Sequence, residues 1–454
     1  MRNGSEAAVE VTRRLAAYVV EARDEDIPGH VTHEAKRALL NWLGCAIGGS
    51  RHETVERALA AFAQFSGPAQ ASVLGRGERL DLLHAALLNG ISSHVLDFDD
   101  THHPTLIHPS GPVMAAALAL CEREHGSGQA FLHAVILGIE TSCRIGRAVF
   151  PSHYDAGWHI TGTAGVFGAA AACGRLLGLN VQQMTWALGI AATQAAGLRE
   201  MFGTMCKSLH PGRAAQNGLG AAFLARSGFT SSERALEASR GFAHVLASEC
   251  DLSLVLDQLG ERFELLSNTY KPFACGLVIH PVIDGCLRLR AQHDLKGPEI
   301  EAIHLSINPL VLELTGNKAP QRGLEGKFSV YHSAAVAVLH GAAGEAQYSD
   351  DVIRDPEVIA LRQKVEVQSL AHIGNTAARV SIRLNDGRVL TEEVTRTIGS
   401  LEQPMSDTQL EEKTRALANG PLTPGATDRL IALCWSADLL EDSAILAQSS
   451  VPAP

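Results

Sequence analysis

Apolar residues recur at helical spacing through most of the chain. Val11, Leu15 and Val19 fall every four residues on one face, and Ala35, Leu39 and Leu43 repeat the pattern in a segment that closes on Gly48-Gly49. Ranges 110–122, 128–149, 160–178, 181–197 and 212–228 read as further helices. Several are bounded by a glycine (Gly126, Gly178, Gly228) suited to a left-handed C-cap. Within 160–178, Gly162, Gly165 and Gly168 recur every three residues. That spacing is not the G-x-G-x-x-G of a dinucleotide loop, no strand precedes it, and no acidic residue follows at the required distance. The expectation is a face of small residues that lets neighbouring helices approach closely.

The period changes near Lys271. Ile303, Leu305 and Ile307 alternate as in a strand. Val380, Ile382 and Leu384, then Asp386-Gly387, then a second strand predict a hairpin with a two-residue turn. Ranges 327–341 and 355–363 read as helices between these strands, and 406–418 and 426–442 return to helix. The predicted fold is mainly α. A large helical domain takes residues 1–268 and 403–454, discontinuous because the tail packs back on it, and a smaller α+β lid domain takes 269–402. The final AQSSVPAP is expected to fray.

Composition adds limits. The 454 residues exceed one ordinary core and suggest two domains. Hydrophobic residues at 46% and charged residues at 19% are globular proportions, and aromatics at 5% suit closely packed helices. A net charge of −11 argues against non-specific binding of nucleic acid or anionic lipid, while leaving room for a local cluster of cations in a cleft. The nine cysteines are odd in number, irregularly spaced and free of C-x-x-C, which points to reduced, buried thiols rather than disulfides or zinc. No stretch approaches the ~20 apolar residues that span a bilayer. The N-terminus carries neither secretory nor transit features, so a cytoplasmic location is expected.

The densest group of titratable residues is LDFDDTHHPTLIHPS, with Asp97, Asp99, Asp100, Thr101, His102, His103 and His108 ahead of a helix beginning near Ser110. Ser110 is a candidate N-cap, placing His108 beside a helix N-terminus, where a carboxylate ligand is favoured and protonation of the imidazole is not. Three readings stand open for this loop alone: a metal site, an acid/base site, or a solvated turn. Elsewhere, cations stand beside Gly, Pro or helix starts: His159 in DAGWHITGTAG, Lys207 and His210 in CKSLHPGRAAQNG, Lys271 in NTYKPFACG, then His280-Pro281. Buried lysines are costly unless paired. Several such positions together suggest an anion-binding cleft.

Taken in order, LDFDDTHHPTLIHPSG, GWHITGTAGVFGAAAA, CKSLHPGRAAQNG and YKPFACGLVIHPVIDG resemble the MmgE/PrpD family, in register from about residue 10 to 445. The family includes 2-methylcitrate dehydratases, cis-aconitate decarboxylases and an iminodisuccinate epimerase. The resemblance implies a helical domain with an α+β lid, a homodimer, a small polycarboxylate substrate, and chemistry without a metal or other cofactor. It implies that Asp97, Thr101, His108 and His159 are catalytic, with His108 and His159 as the acid/base pair. Lys207, Lys271, His280 and Tyr331 (in KFSVYHS) become substrate-binding candidates, with His102, His103 and His210 behind them. The acidic loop is one residue longer than in the animal decarboxylases, with His102-His103 in place of Trp-His. The leading expectation is a hydro-lyase of the 2-methylcitrate dehydratase type. A decarboxylase or an imino- or amino-dicarboxylate epimerase comes next, and a metal-dependent hydrolase or a silent carboxylate-binding homologue supplies the contrast from other classes.

Overall fold

A computed structural model of the chain describes residues 10–452. Helices form at Val11–Glu21, Gly29–Gly49, Ser110–Glu124, Gly128–Val149 and Ile160–Leu176, and the apolar faces read from the first two are buried. The glycine face of 160–176 works by close approach: a Cβ on Gly168 would lie 2.6 Å from the carbonyl oxygen of Gly138 in the neighbouring helix.

Other elements differ from the sequence pattern. Helices Glu53–Phe62 and Leu82–Val95 are additional. The second is buried on nearly every face against 29–49, 110–124 and the helix Cys206–Arg226, so it has no polar stripe to betray its period. The 181–197 range stops being helical at Ala192. The helix expected at 212–228 starts six residues earlier, at Cys206, and carries Pro211 inside it. A proline there forfeits one backbone hydrogen bond, but the next residue secures the packing. A Cβ on Gly212 would lie 2.4 Å from the carbonyl oxygen of Leu87.

Residues 300–394 form a four-stranded mixed sheet in the order Val365–Ser369, Ile300–Ile307, Ala378–Leu384, Val389–Val394. The first pair is parallel and the other two antiparallel. The hairpin turn has three loop residues, not two. The Leu384 amide donates to the Arg388 carbonyl, the Gly387 amide to the Leu384 carbonyl, and Gly387 takes φ +88°. That is a type I turn followed by a left-handed glycine. Helices His280–His293 and Val330–His340 cover the sheet.

The protein is mainly α, with this small sheet in its C-terminal part. The apolar side chains of the sheet and its helices share one core, which Val95, Leu96 and Phe98 enter from the N-terminal half. The tail helix Asp407–Ala418 packs on 29–49, and Ala444–Ser449 packs on 110–124. The tail is therefore not frayed at its start: Leu446, Ala447 and Ser450 are buried, and the Ser450 carbonyl accepts from the Gly75 amide. Ala453 and Pro454, and the first nine residues on which the leader expectation partly rests, lie outside the described residues. Among the described residues, no helix is long and apolar enough to cross a membrane.

Candidate active site

The 82–95 helix runs into the acidic loop at Leu96. The side chains of Leu96 and Phe98 point into the α+β core, so Asp97 between them faces the other way. Asp97 takes φ +50°, a left-handed conformation that Asp tolerates better than most residues. Its carboxylate meets two ammonium groups. Lys207 Nζ, in the first turn of the 206–226 helix, donates to Asp97 Oδ1 at 2.5 Å, and Lys271 Nζ lies 3.1 Å from the same oxygen. Lys271 also donates to the Asp97 carbonyl at 2.9 Å. Burial pushes the Asp97 carboxyl up, but Lys207 and Lys271 outweigh it and hold the group well below the usual carboxylate range. Burial draws Lys207 down and Asp97 opposes it.

Asp99 joins two imidazoles. His94 Nδ1 lies 2.7 Å from Asp99 Oδ2, and His108 Nδ1 lies 3.3 Å from Asp99 Oδ1 and 3.4 Å from Thr101 Oγ1. Burial raises the Asp99 carboxyl, yet the two imidazoles carry it well below its normal value. An ionised carboxylate only accepts, so His94 carries its proton on Nδ1, and the Asp99 charge beside His108 Nδ1 favours the proton on that nitrogen too. His108 then turns Nε2 to the cavity, the arrangement by which a buried carboxylate fixes a catalytic imidazole's tautomer. On the far wall, His159 Nδ1 lies 2.8 Å from His210 Nδ1, so one of these two atoms carries a proton and the other accepts it. All four imidazoles are pushed towards the neutral form. Burial is the largest cause in each, taking His94 and His210 to about 4, and Lys207 adds to it for His159.

Six of the sequence candidates, Asp97, Thr101, His108, His159, Lys207 and Lys271, line one cavity of about 50 Å³. One water needs roughly 10–15 Å³ of such space, so the cavity suits a small molecule. Tyr154, Phe202, Leu277, Val278 and Phe328 supply walls that the sequence reading did not single out.

The remaining candidates lie off the cavity lining. His280 is buried against the Phe273 ring at 5.2 Å with neither ring nitrogen hydrogen-bonded, and Tyr331 packs in the α+β core with Lys318 Nζ 5.5 Å from its ring. Neither is among the residues that line the cavity. His210 stands behind His159. His102 turns away to Thr105 Oγ1 and Glu264 Oε2, at 2.7 and 3.2 Å, and His103 is half-buried with its amide on the Ser267 carbonyl. The departure from the decarboxylase loop pattern therefore falls outside the cavity. Ser110 does not cap its helix. It is the first helical residue and donates to Asp100 Oδ2 at 2.7 Å. Asp99 and His94 are the residues whose importance the sequence understated.

Ligand atoms of His94, Asp99 and His108 lie within 4.8 Å of one another, close enough to share a metal ion. His94 Nδ1 already bonds Asp99 Oδ2, while His108 Nδ1 lies 3.3 Å from Asp99 Oδ1, an oxygen without a hydrogen-bond partner.

Residues 13–254 match the MmgE/PrpD N-terminal domain, and residues 273–437 match the MmgE/PrpD C-terminal domain. A protein from Aspergillus terreus named cis-aconitate decarboxylase is 29% identical, covering 96% of this chain and 95% of its own. Proteins of the same name from Homo sapiens and Mus musculus are 30% and 28% identical, each covering 96% of this chain and 93% of its own.

Proposed function

The chain belongs to the MmgE/PrpD family, and from that premise we propose that it is a lyase that removes CO2 from a small unsaturated tricarboxylate, cis-aconitate or a close analogue. The observation that carries this reading is the joint presence, on one small cavity, of two ammonium groups with unused donors and two imidazoles that turn Nε2 inward. The proteins named cis-aconitate decarboxylase support it over the dehydratase expected from the motifs.

Substrate carboxylates take the free donors of Lys207 and Lys271. The C–C bond to the departing carboxylate breaks and its electron pair stays on carbon, conjugated through the double bond with a retained carboxylate. The two buried ammonium groups stabilise that charge, usually the largest catalytic contribution. CO2 leaves, and the carbon takes a proton from the imidazolium of His108 or His159. The imidazole recovers that proton from solvent, so one proton is consumed per turnover. The electron sink lies in the substrate, so the reaction asks for no metal or other cofactor. Thr101 steadies His108, and Asp97 holds both lysines until substrate arrives.

One observation favours a second reading. A decarboxylase needs a single proton donor, whereas two imidazoles face this cavity. One could remove an α-proton while the other protonates a departing hydroxyl, which is the chemistry of a 2-methylcitrate dehydratase; an epimerase would use the same pair across two faces. A cytoplasmic homodimer completes the proposal, resting on the motif resemblance and the composition.

The test is NMR of purified protein with cis-aconitate, citrate, 2-methylcitrate and aspartate derivatives in D2O, with and without a chelator. Loss of CO2 with one deuteron in the product supports the first reading. Dehydration or α-deuteration without CO2 loss transfers support to the second, and no turnover of any compound overturns both. Activity abolished by the chelator would return the metal reading.

A further inference from the structure

Three consecutive carbonyls of the loop that carries Asp97 each accept a hydrogen bond from a different lysine. Lys327 Nζ donates to the Leu96 carbonyl at 2.7 Å, Lys271 Nζ to that of Asp97 at 2.9 Å, and Lys413 Nζ to that of Phe98 at 2.6 Å. The lysines come from separate parts of the chain. Lys271 follows the short strand Asn268–Thr269, Lys327 precedes the 330–340 helix, and Lys413 lies in the 407–418 tail helix. They are 1%, 1% and 8% exposed.

Counting donors separates their roles. An ammonium group has three N–H donors. Lys327 uses its three on Leu96 O, Ala274 O (2.9 Å) and Glu345 Oε2 (2.5 Å). Lys413 uses its three on Phe98 O, Lys271 O (2.9 Å) and Asn41 Oδ1 (2.8 Å), with its charge 3.9 Å from the centre of the Phe98 ring. Neither has a donor left for a ligand. Lys271 places donors on Asp97 O and Oδ1, and Lys207 on Asp97 Oδ1 alone, so these two retain three donors between them for the cavity.

Both saturated lysines make the same connection. Each bonds one carbonyl in 96–98 and one in 271–274, and so ties the Asp97 turn to the segment that carries Lys271. A buried ammonium group is an expensive way to fill space, and an apolar side chain of similar volume would do that better. What each supplies here is two directed bonds to backbone carbonyls, one in the left-handed turn and one in 271–274, that would otherwise be buried and unpaired, and a third bond to a side-chain oxygen that anchors it. Burial draws Lys413 down to about 8, which leaves it mainly charged at neutral pH.

We propose that Lys327 and Lys413 are positioning residues, which act through the backbone of residues 96–98 and 271–274 to set the spacing of Asp97 and Lys271 that substrate carboxylates meet. This rests on the reading of the cavity as a carboxylate site. The test uses Lys413→Met, with Lys327→Met as the independent variant should the first fail to fold, and citrate as the calorimetric probe. Expected for either folded variant is citrate affinity weakened by about 10–100-fold, the scale on which small misplacements of a binding group act. Amides of residues 96–100 should also exchange hydrogen faster than in wild type. In a Lys271→Met background the added loss should largely vanish, because the group being positioned is gone. Unchanged affinity and unchanged exchange in the folded variants would overturn the proposal, and so would a loss that persists in full in that background, the mark of a merely structural lysine. If wild type neither binds citrate nor turns over any carboxylate tried, the functional reading has failed. Exchange at 96–100 then decides the clamp by itself, accelerated exchange upholding it and unchanged exchange overturning it.

Discussion

Replacing Asp97 by Asn tests whether the cavity is an anion site, because Asp97 occupies the ammonium groups that a substrate needs. Its Oδ1 lies 2.5 Å from Lys207 Nζ and 3.1 Å from Lys271 Nζ, in a buried position. Asp97→Asn keeps the shape and removes the charge, leaving two buried cations without their counter-ion. Breaking a buried pair in this way costs about 3–5 kcal/mol. With an unfolding entropy of about 2.1 cal/mol/K per residue, 454 residues give about 1 kcal/mol per degree. The unliganded variant should therefore melt about 3–5 °C below wild type. The same change frees the lysines for a carboxylate from solution. Citrate should then raise the Tm of the variant by more than it raises that of wild type. Saturation at a hundredfold over Kd is worth about 2.7 kcal/mol, or roughly 3 °C on the same scale. The assay is differential scanning fluorimetry with and without citrate, using a neutral triamide as control. An unchanged Tm in the unliganded variant, or a citrate shift no larger than in wild type, would refute the claim that Asp97 neutralises these lysines in place of a substrate.

Three further outcomes are expected. His108→Ala should fold normally and lose about 10²–10⁴-fold in turnover, the usual contribution of a positioned acid/base; near-wild-type rates in the NMR assay would remove His108 from the chemistry. Asp99→Asn should reverse or loosen the His108 tautomer and lower kcat by up to about 10⁴-fold with little change in KM, so steady-state kinetics showing wild-type kcat would sink that role for Asp99. Stability to urea should fall as pH drops from about 6.5 to 4.5. His94, His210 and His332 are held to about 4 and His280 to about 3, mainly by burial, so the unfolded chain binds about four more protons there, while Asp100 and Glu140, raised by burial to about 7, bind two more in the native state. With His108 and His159 also lowered by burial, the lowered imidazoles outnumber these two raised carboxyls, so the unfolded chain binds more protons and stability falls on acidification; urea midpoints that hold steady or rise would contradict it.

Much of the cavity was legible because its residues sit in unusual local settings. Asp97, Thr101 and His108 stand in a run of titratable groups, and His159, Lys207 and Lys271 stand beside Gly, Pro or a helix start. The motif series added what spacing could not, namely that these segments converge. What stayed hidden was hidden by burial on all sides. His94 lies in LLNGISSHV, where no polar face marks one histidine as special, yet it follows the helical pattern to within five residues of Asp99. Lys413 does carry a signal in the sequence. In DTQLEEKTRALA it shares a helical face with Leu410 and Leu417, both buried, so a charge lay on an apolar stripe. Tyr331 shows the converse. KFSVYHS resembles a site motif, but its tyrosine lies on a helix face committed to the α+β core.

The electrostatics of the cavity also bear on how a proton donor arises in it. Decarboxylation ends with a proton delivered to carbon, yet burial pushes His108 and His159 towards the neutral form, against Asp99 and with Lys271 at the first and with Lys207 at the second. A neutral His108 with its proton on Nδ1, beside Asp99, has no proton on the cavity side to give. The substrate alters that balance by its own charge. A tricarboxylate seated on Lys207 and Lys271 cancels the ammonium contribution and places negative charge beside both Nε2 atoms, and each change favours the imidazolium. On the proposed function, the acid is therefore assembled only in the complex. Proton uptake accompanies binding, and the proton sits on the nitrogen that faces the carbon awaiting it. Asp97 belongs to the same device. Before substrate arrives its carboxylate holds the two ammonium groups in place, and its single negative charge is already committed to them.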